Sequence, residues 1–401
     1  MTRKILIICI LLLVLLIPAN VSAASDIKLL NSTTKIDFPN LLTFNVKAES
    51  SATITRIRLR YEVDKMTYAP AFAEAWPDFQ PGKSISTSWA WDMRKGSLPP
   101  GAKITYWWII EDNSRNRLTT SKETLYFDDT RNKWQKISDN KITVFWYEGS
   151  PSFASDLLKA AVDAGNKLGK DTGVYIDKPV SLYIYANYRD LRGSIVAPEE
   201  WTGGVAYAGF NIISIGISTN NLEWGKKAVA HELGHLITHQ VTVSPYGAAI
   251  SPWLDEGLAM HAEGEQGDSD RGALVKAIED GRIATLRSLS SPFSANPEDA
   301  FYAYAQSQSV VEYMINNYGK GKLNRLLVLL NDGHSMDEAL TKVYDFNLAG
   351  LDEAWLEYMM AQPDEKANPG KLLRREPSLP ISFINCSAPR IITPVAAAGA
   401  G

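Results

Sequence analysis

Cysteine is nearly missing from this chain of 401 residues, which has only Cys9 and Cys386. Cys9 falls in the N-terminal apolar segment, so a mature chain keeps a single thiol and no internal disulfide can form. Histidine is also scarce, with five residues at 231, 235, 239, 261 and 334. Positive charge is not in excess either. The 41 Lys and Arg stand against 45 Asp and Glu, a formal charge of −4, and without a basic face nucleic acid is excluded as a partner. The longest apolar run, from Ile5 to Ile17, is too short to cross a bilayer comfortably. It follows Thr2-Arg3-Lys4 and ends in Pro18-Ala19-Asn20-Val21-Ser22-Ala23. A charged start, a short apolar core and small residues before Ala24 read as a signal peptide over residues 1–23. The mature chain is therefore expected to be secreted or held in the cell envelope, with no stable membrane span.

The chain does have the composition of a globular protein, 45% hydrophobic and 21% charged. Its length exceeds what one core organises, so two domains are expected. Residues 24–135 carry period-2 segments separated by turn signals: 42–46, 54–61, 85–91, 104–110 and 118–127. That spacing predicts an N-terminal antiparallel β-sandwich of immunoglobulin or fibronectin type. The aromatics Trp89, Trp91, Tyr106, Trp107 and Trp108 are read as its core, with a sugar-binding surface as the alternative. Residues 136–362 change texture, with strands expected at 141–147, 180–185 and 211–217 and a helix at 152–168. A further helix starts near Leu222 with Asn220-Asn221 as its cap, and helices continue to Gln362. The small, Pro-interrupted end, 363–401, reads as a flexible tail.

The chemistry lies in His231-Glu232-Leu233-Gly234-His235. Helical positions four apart share a face, so the two imidazoles can meet one zinc ion while Glu232 projects beside it toward the attacking water. The flanking Ala228, Val229, Ala230, Leu233, Leu236 and Ile237 imply a buried helix, where uncompensated polar groups would be costly. A third ligand is required. Metzincin spacing fails, because Thr238 and Val241 stand where Gly and His would be needed. A second helix is predicted from Ser251-Pro252 onward, and on it Glu256 shares a face with Ala259 and Met260. A carboxylate among apolar side chains needs a partner such as a metal, which makes Glu256 the third ligand. Glu263 lies on the same face two turns on, but Gly264 follows it directly, so it reads as the solvated helix end. His239 would extend the two ligands along a line rather than around an ion, His261 is expected to cap or pack, and His334 to sit in a loop.

The motif 231–235 combined with Trp253-Leu254-Asp255-Glu256-Gly257-Leu258-Ala259 resembles gluzincins of the peptidase MA clan, specifically bacterial and archaeal peptidase MA-like proteins. The resemblance spans roughly residues 141–362. It implies a thermolysin-like α+β zinc hydrolase with one zinc on His231, His235 and Glu256. It also implies an edge strand near Thr202–Ile217 to hold an extended peptide or protein substrate. In aminopeptidase-type relatives a tyrosine on a later helix holds the oxyanion, and the matching segment 303–307 makes Tyr304 the candidate, with Tyr302 its competitor. The aminopeptidases' Gly-x-Met-Glu-Asn strand is missing, which speaks against aminopeptidase activity. The sequence therefore predicts an exported zinc peptidase with Glu232 as general base. The alternative is a non-catalytic envelope binding protein on a zinc-stabilised scaffold, against which the retained Glu232 argues.

Overall fold

The computed structural model describes residues 26–65, 72–196, 203–242 and 250–361. The expected signal peptide, the expected tail, both cysteines and Thr202 lie outside the described residues.

Seven antiparallel strands come first: β1 (Lys28–Asp37), β2 (Leu41–Val63), β3 (Ala73–Ala75), β4 (Gly82–Asp92), β5 (Ala102–Asp112), β6 (Arg117–Thr119) and β7 (Glu123–Phe127). The two runs expected as separate strands, 42–46 and 54–61, are one strand, because no Gly or Pro between them stops the chain. Instead β2 changes partners along its length. Its first half pairs with β1 and β4, its second half with β3 and β5, and the register shifts between Glu49 and Ile54. An irregularity of this kind bends a strand without ending it. All seven strands thus belong to one hydrogen-bonded sheet, where the two separate sheets of an immunoglobulin-type sandwich were expected. Both halves of β2 contribute to the same core, Leu42, Phe44 and Val46 from one and Ile57, Leu59 and Tyr61 from the other. Trp91, Tyr106, Trp107 and Trp108 are buried, and Trp89 stacks against Tyr61 at 5.5 Å, so these aromatics are core.

A second, five-stranded sheet has the order β11-β12-β10-β9-β8, built from β8 (Gln135–Asp139), β9 (Ile142–Trp146), β10 (Val180–Tyr185), β11 (Gly204–Tyr207) and β12 (Ile212–Gly216). Its three central strands are parallel and its two edge strands antiparallel to their neighbours. Alternation decides what covers each face. Val144, Leu182, Ile184, Ile213 and Ile215 point into the helical core. Phe145, Tyr183, Tyr185 and Tyr207, with Val205, form a largely aromatic layer on the other side. That layer meets the first sheet's end: Tyr185 donates to Asp129 Oδ2 at 3.0 Å, and Trp134 to the Asp129 carbonyl at 2.8 Å.

Among the described residues the helices are α1 (Pro151–Thr172), α2 (Tyr188–Arg192), α3 (Leu222–Thr242), α4 (Pro252–Glu263), α5 (Asp268–Glu279), α6 (Pro297–Tyr318), α7 (Lys320–Asn331), α8 (Met336–Tyr344) and α9 (Leu348–Ala361). None is long and apolar enough to cross a membrane. Asn220 and Asn221, expected as a cap, instead form a 3-10 turn running straight into α3. α3 is buried from Ala228 to Thr238, with apolar side chains all round apart from the motif itself and Thr238. It packs on α1 and α4, and α4 packs in turn on α6. Glycines set these last two spacings. A Cβ on Gly234 would lie 2.8 Å from Ala259 Cα, and one on Gly257 would lie 2.4 Å from the Ser307 carbonyl oxygen.

Candidate active site

Close packing of α3 against α4 brings the predicted ligands together. His231, His235 and Glu256 each offer one atom to a common point. The His231 and His235 Nε2 atoms are 3.1 Å apart, and Glu256 Oε2 lies 3.5 Å from the first and 3.4 Å from the second. Zinc–nitrogen bonds of about 2.0–2.1 Å arranged tetrahedrally give ligand–ligand edges of about 3.3–3.4 Å. The three observed edges straddle that value. Both imidazoles are buried, and Glu256 Oε2 is buried without a hydrogen-bond partner, which is the condition of a ligand atom in need of a cation.

The outer nitrogens show how the inner ones are presented. Glu263 Oε1 sits 2.7 Å from His231 Nδ1, and Asp255 Oδ1 sits 3.1 Å from His235 Nδ1. An ionised carboxylate only accepts, so in the hydrogen bond to Glu263 the His231 Nδ1 carries the proton and its Nε2 keeps its lone pair for the metal, and the Asp255 carboxylate beside His235 Nδ1 favours the same tautomer there. Burial opposes the ionisation of Asp255, but its two histidine neighbours, His235 and His239, outweigh it and hold the carboxyl below its ordinary range. Glu256 is lowered in the same way, burial being overcome by His235 and His231.

Glu263 corrects the sequence reading. It lies against the outer nitrogen of His231 rather than at the point where the three donor atoms converge, and with its side chain only 12% exposed it is not a solvated helix end. The loop after Gly264 is folded onto α6: Gln308 Nε2 donates to the Gly264 carbonyl at 3.0 Å, and the Gln266 amide donates to Glu312 at 2.9 Å. Its position two turns after Glu256 was the signal. The glycine that follows it ends the helix without exposing it. Asp255 was likewise not anticipated as the partner of His235.

The other histidines stay away from the metal point. His261 Nε2 contacts Lys167 Nζ at 2.8 Å and Asp171 Oδ2 at 3.0 Å, joining α4 to α1. His334 lies beside Lys342 at 3.1 Å, just before the Ser335 capping box of α8. His239 meets Asp255 Oδ2 at 3.1 Å. Glu232 is fully buried. Tyr304 is buried on α6, edge-to-face with Phe293 at 5.0 Å, one turn before the Ser307 that meets Gly257 and so on the face toward α4. Tyr302 is partly exposed beneath the Arg282 guanidinium at 5.1 Å. Strand β11 forms the sheet's outer edge and contacts α3.

From this donor set we expect one zinc per chain. Glu256→Gln should lose most of it, because a neutral amide replaces the one anionic ligand. Glu263→Gln should keep it, at weaker affinity by about 10–100-fold, as for other outer-shell partners. Elemental analysis with chelator competition reads both. Full zinc in Glu256→Gln would remove it from the ligand set.

A family model for the Peptidase MA superfamily matches residues 160–361. No curated protein matches the chain. Among solved structures it is similar to an M1 zinc metallopeptidase from Deinococcus radiodurans at 12% identity, covering 82% of this chain and 92% of that one with a TM-score of 0.33. It is also similar to Legionella pneumophila aminopeptidase A in complex with aspartic acid at 10% identity, covering 83% and 51% with a TM-score of 0.36. The family match carries the assignment; the structural similarities are too distant to add to it.

Proposed function

This chain belongs to the Peptidase MA superfamily and is a zinc metallopeptidase with a His-His-Glu site for a single ion; on that premise we propose that it is an exported peptidase in which Glu232 is the general base. The convergence of three lone-pair donors at 3.1–3.5 Å carries the reading. Zinc, when bound, supplies Lewis acidity at the scissile carbonyl and toward the attacking water. Glu232 follows His231 directly on α3 and is not one of the three converging residues, and in this reading its carboxylate takes the water proton and returns it to the leaving amine. Tyr304 donates its hydroxyl proton to the developing oxyanion, a role that its placement on the α4-facing side of α6 supports.

The substrate is an extended peptide or protein segment. Among the described residues β11 is the outermost strand of the sheet, antiparallel to β12 and next to α3, and an edge strand can take up an extended backbone by main-chain pairing in a thermolysin-like manner. Export rests on the leader at 1–23, which also removes Cys9. The proposed division places a sheet domain at 24–135, which positions or tethers the catalytic domain at 136–362.

The test is a cleavage screen on broad peptide libraries with purified mature protein and a chelated control. Cleavage that chelation abolishes and zinc restores is expected, and Tyr304→Phe should lower kcat with little change in KM. A protein that holds zinc and cleaves nothing would favour the binding-protein alternative. Native protein beginning at Met1 or Thr2 would overturn export.

A further inference from the structure

We propose that His239 is a positioning residue of the zinc centre, acting on His235 through Asp255. The inference rests on the reading of His235 as a zinc ligand.

His235 and His239 are four residues apart on α3 and face the same carboxylate on α4. Asp255 Oδ1 lies 3.1 Å from His235 Nδ1, and its Oδ2 lies 3.1 Å from His239 Nε2. The carboxylate is thus divided between the two rings, one oxygen each. That division has a mechanical consequence. The torsion that turns a carboxylate about its Cβ–Cγ bond is broad and roughly two-fold. A carboxylate held at one oxygen alone can swing, carrying its acceptor off the His235 ring. Held at both, it is fixed in plane, and with it the tautomer and orientation of His235.

His239 is suited to this because its own backbone is fastened. The next residue, Gln240, donates through Nε2 to Asn211 Oδ1 at 2.6 Å and accepts through Oε1 from the amides of Asp177 and Lys178 at 2.8 and 3.1 Å. The last turn of α3 is therefore tied to the loop before β10 and the turn before β12. The His239 side chain is 32% exposed, against 15% for Asp255 and 1% for His235. The chain of contacts runs from the solvent edge inward to the ligand. On the other ligand, His231, the outer nitrogen is met directly by Glu263 at 2.7 Å, a carboxylate itself only 12% exposed.

The test compares His239→Leu, which removes the donor, with His239→Gln, which keeps an N–H donor on a side chain of similar reach. The first readout is the rate at which the zinc-loaded full-length protein releases its metal to a chromogenic chelator. The second is the visible spectrum of the cobalt-substituted protein, which reports ligand geometry without turnover. We expect His239→Leu to release zinc about 10–100-fold faster with a shifted cobalt spectrum, and His239→Gln to stay within about three-fold of wild type. In an Asp255→Asn background the leucine substitution should add little, since both act on one contact chain. Release from His239→Leu at the wild-type rate would overturn the proposal. So would equal acceleration in both variants accompanied by an equal fall in thermal stability, which is a purely structural effect. Wild-type protein that binds no zinc would instead remove the metal site itself.

Discussion

Glu232→Gln should abolish most turnover while leaving the zinc site filled. The residue is fully buried, so glutamine, which matches its volume, is the informative replacement. Alanine would add a cavity and with it a stability cost unrelated to the chemistry. The amide cannot accept the water proton, and a positioned general base contributes about 10²–10⁴ in rate. Zinc should be retained because Glu232 is not in the ligand set of His231, His235 and Glu256. Substrate affinity should change little, since proton transfer occurs only on the way to the transition state, so the loss falls on kcat and kcat/KM together. Each preparation has to be assayed for zinc alongside wild type, because a lost ion would mimic a lost base. Wild-type turnover in a zinc-loaded Glu232→Gln protein would show that another group takes the proton.

Much of this site was legible in the chain because helical spacing is a short-range rule. Four residues put His231 and His235 on one face, and a buried carboxylate on the next helix had to answer to something. What spacing did not reveal was the outer layer. Asp255 and Glu263 owe their roles to how α4 lies against α3 and to a loop folded back on α6 by Gln308 and Glu312, contacts between residues far apart in the chain. The same limit applies to the first sheet. Alternation located most of its strands, but partner exchange along β2 depends on pairing between distant segments, which period-2 patterning does not encode. β1 was not anticipated because its sequence, KLLNSTTKID, is mostly polar and lies largely exposed at the sheet's rim.

Gly257→Ala should cost the protein both stability and zinc, against the local preference of the helix. In an ordinary helix the change would gain about 0.8–1 kcal/mol. Here the new Cβ would fall 2.4 Å from the Ser307 carbonyl oxygen and 2.7 Å from Val311 Cγ2. The first of these is backbone and cannot rotate aside. α4 has little room to retreat toward α3 either, because Gly234 already lies so close that a Cβ built on it would fall 2.8 Å from Ala259 Cα. With both sides closed, relief has to come from spreading α4, α6 and α3 apart, an overpacking cost of about 1–3 kcal/mol that exceeds the propensity gain. Glu256 is the adjacent residue, so any shift of α4 moves the third ligand away from two histidines that ride on α3. Calorimetry should show a melting temperature lowered by several degrees, and chelator competition should show weaker zinc binding. Gly272→Ala on α5 is the control. No atom lies within 4 Å of its added Cβ, so propensity acts alone there and stability should rise by up to about 1 kcal/mol with zinc affinity unchanged. If Gly257→Ala instead melts and binds zinc like wild type, the α4–α6 spacing is not what places Glu256.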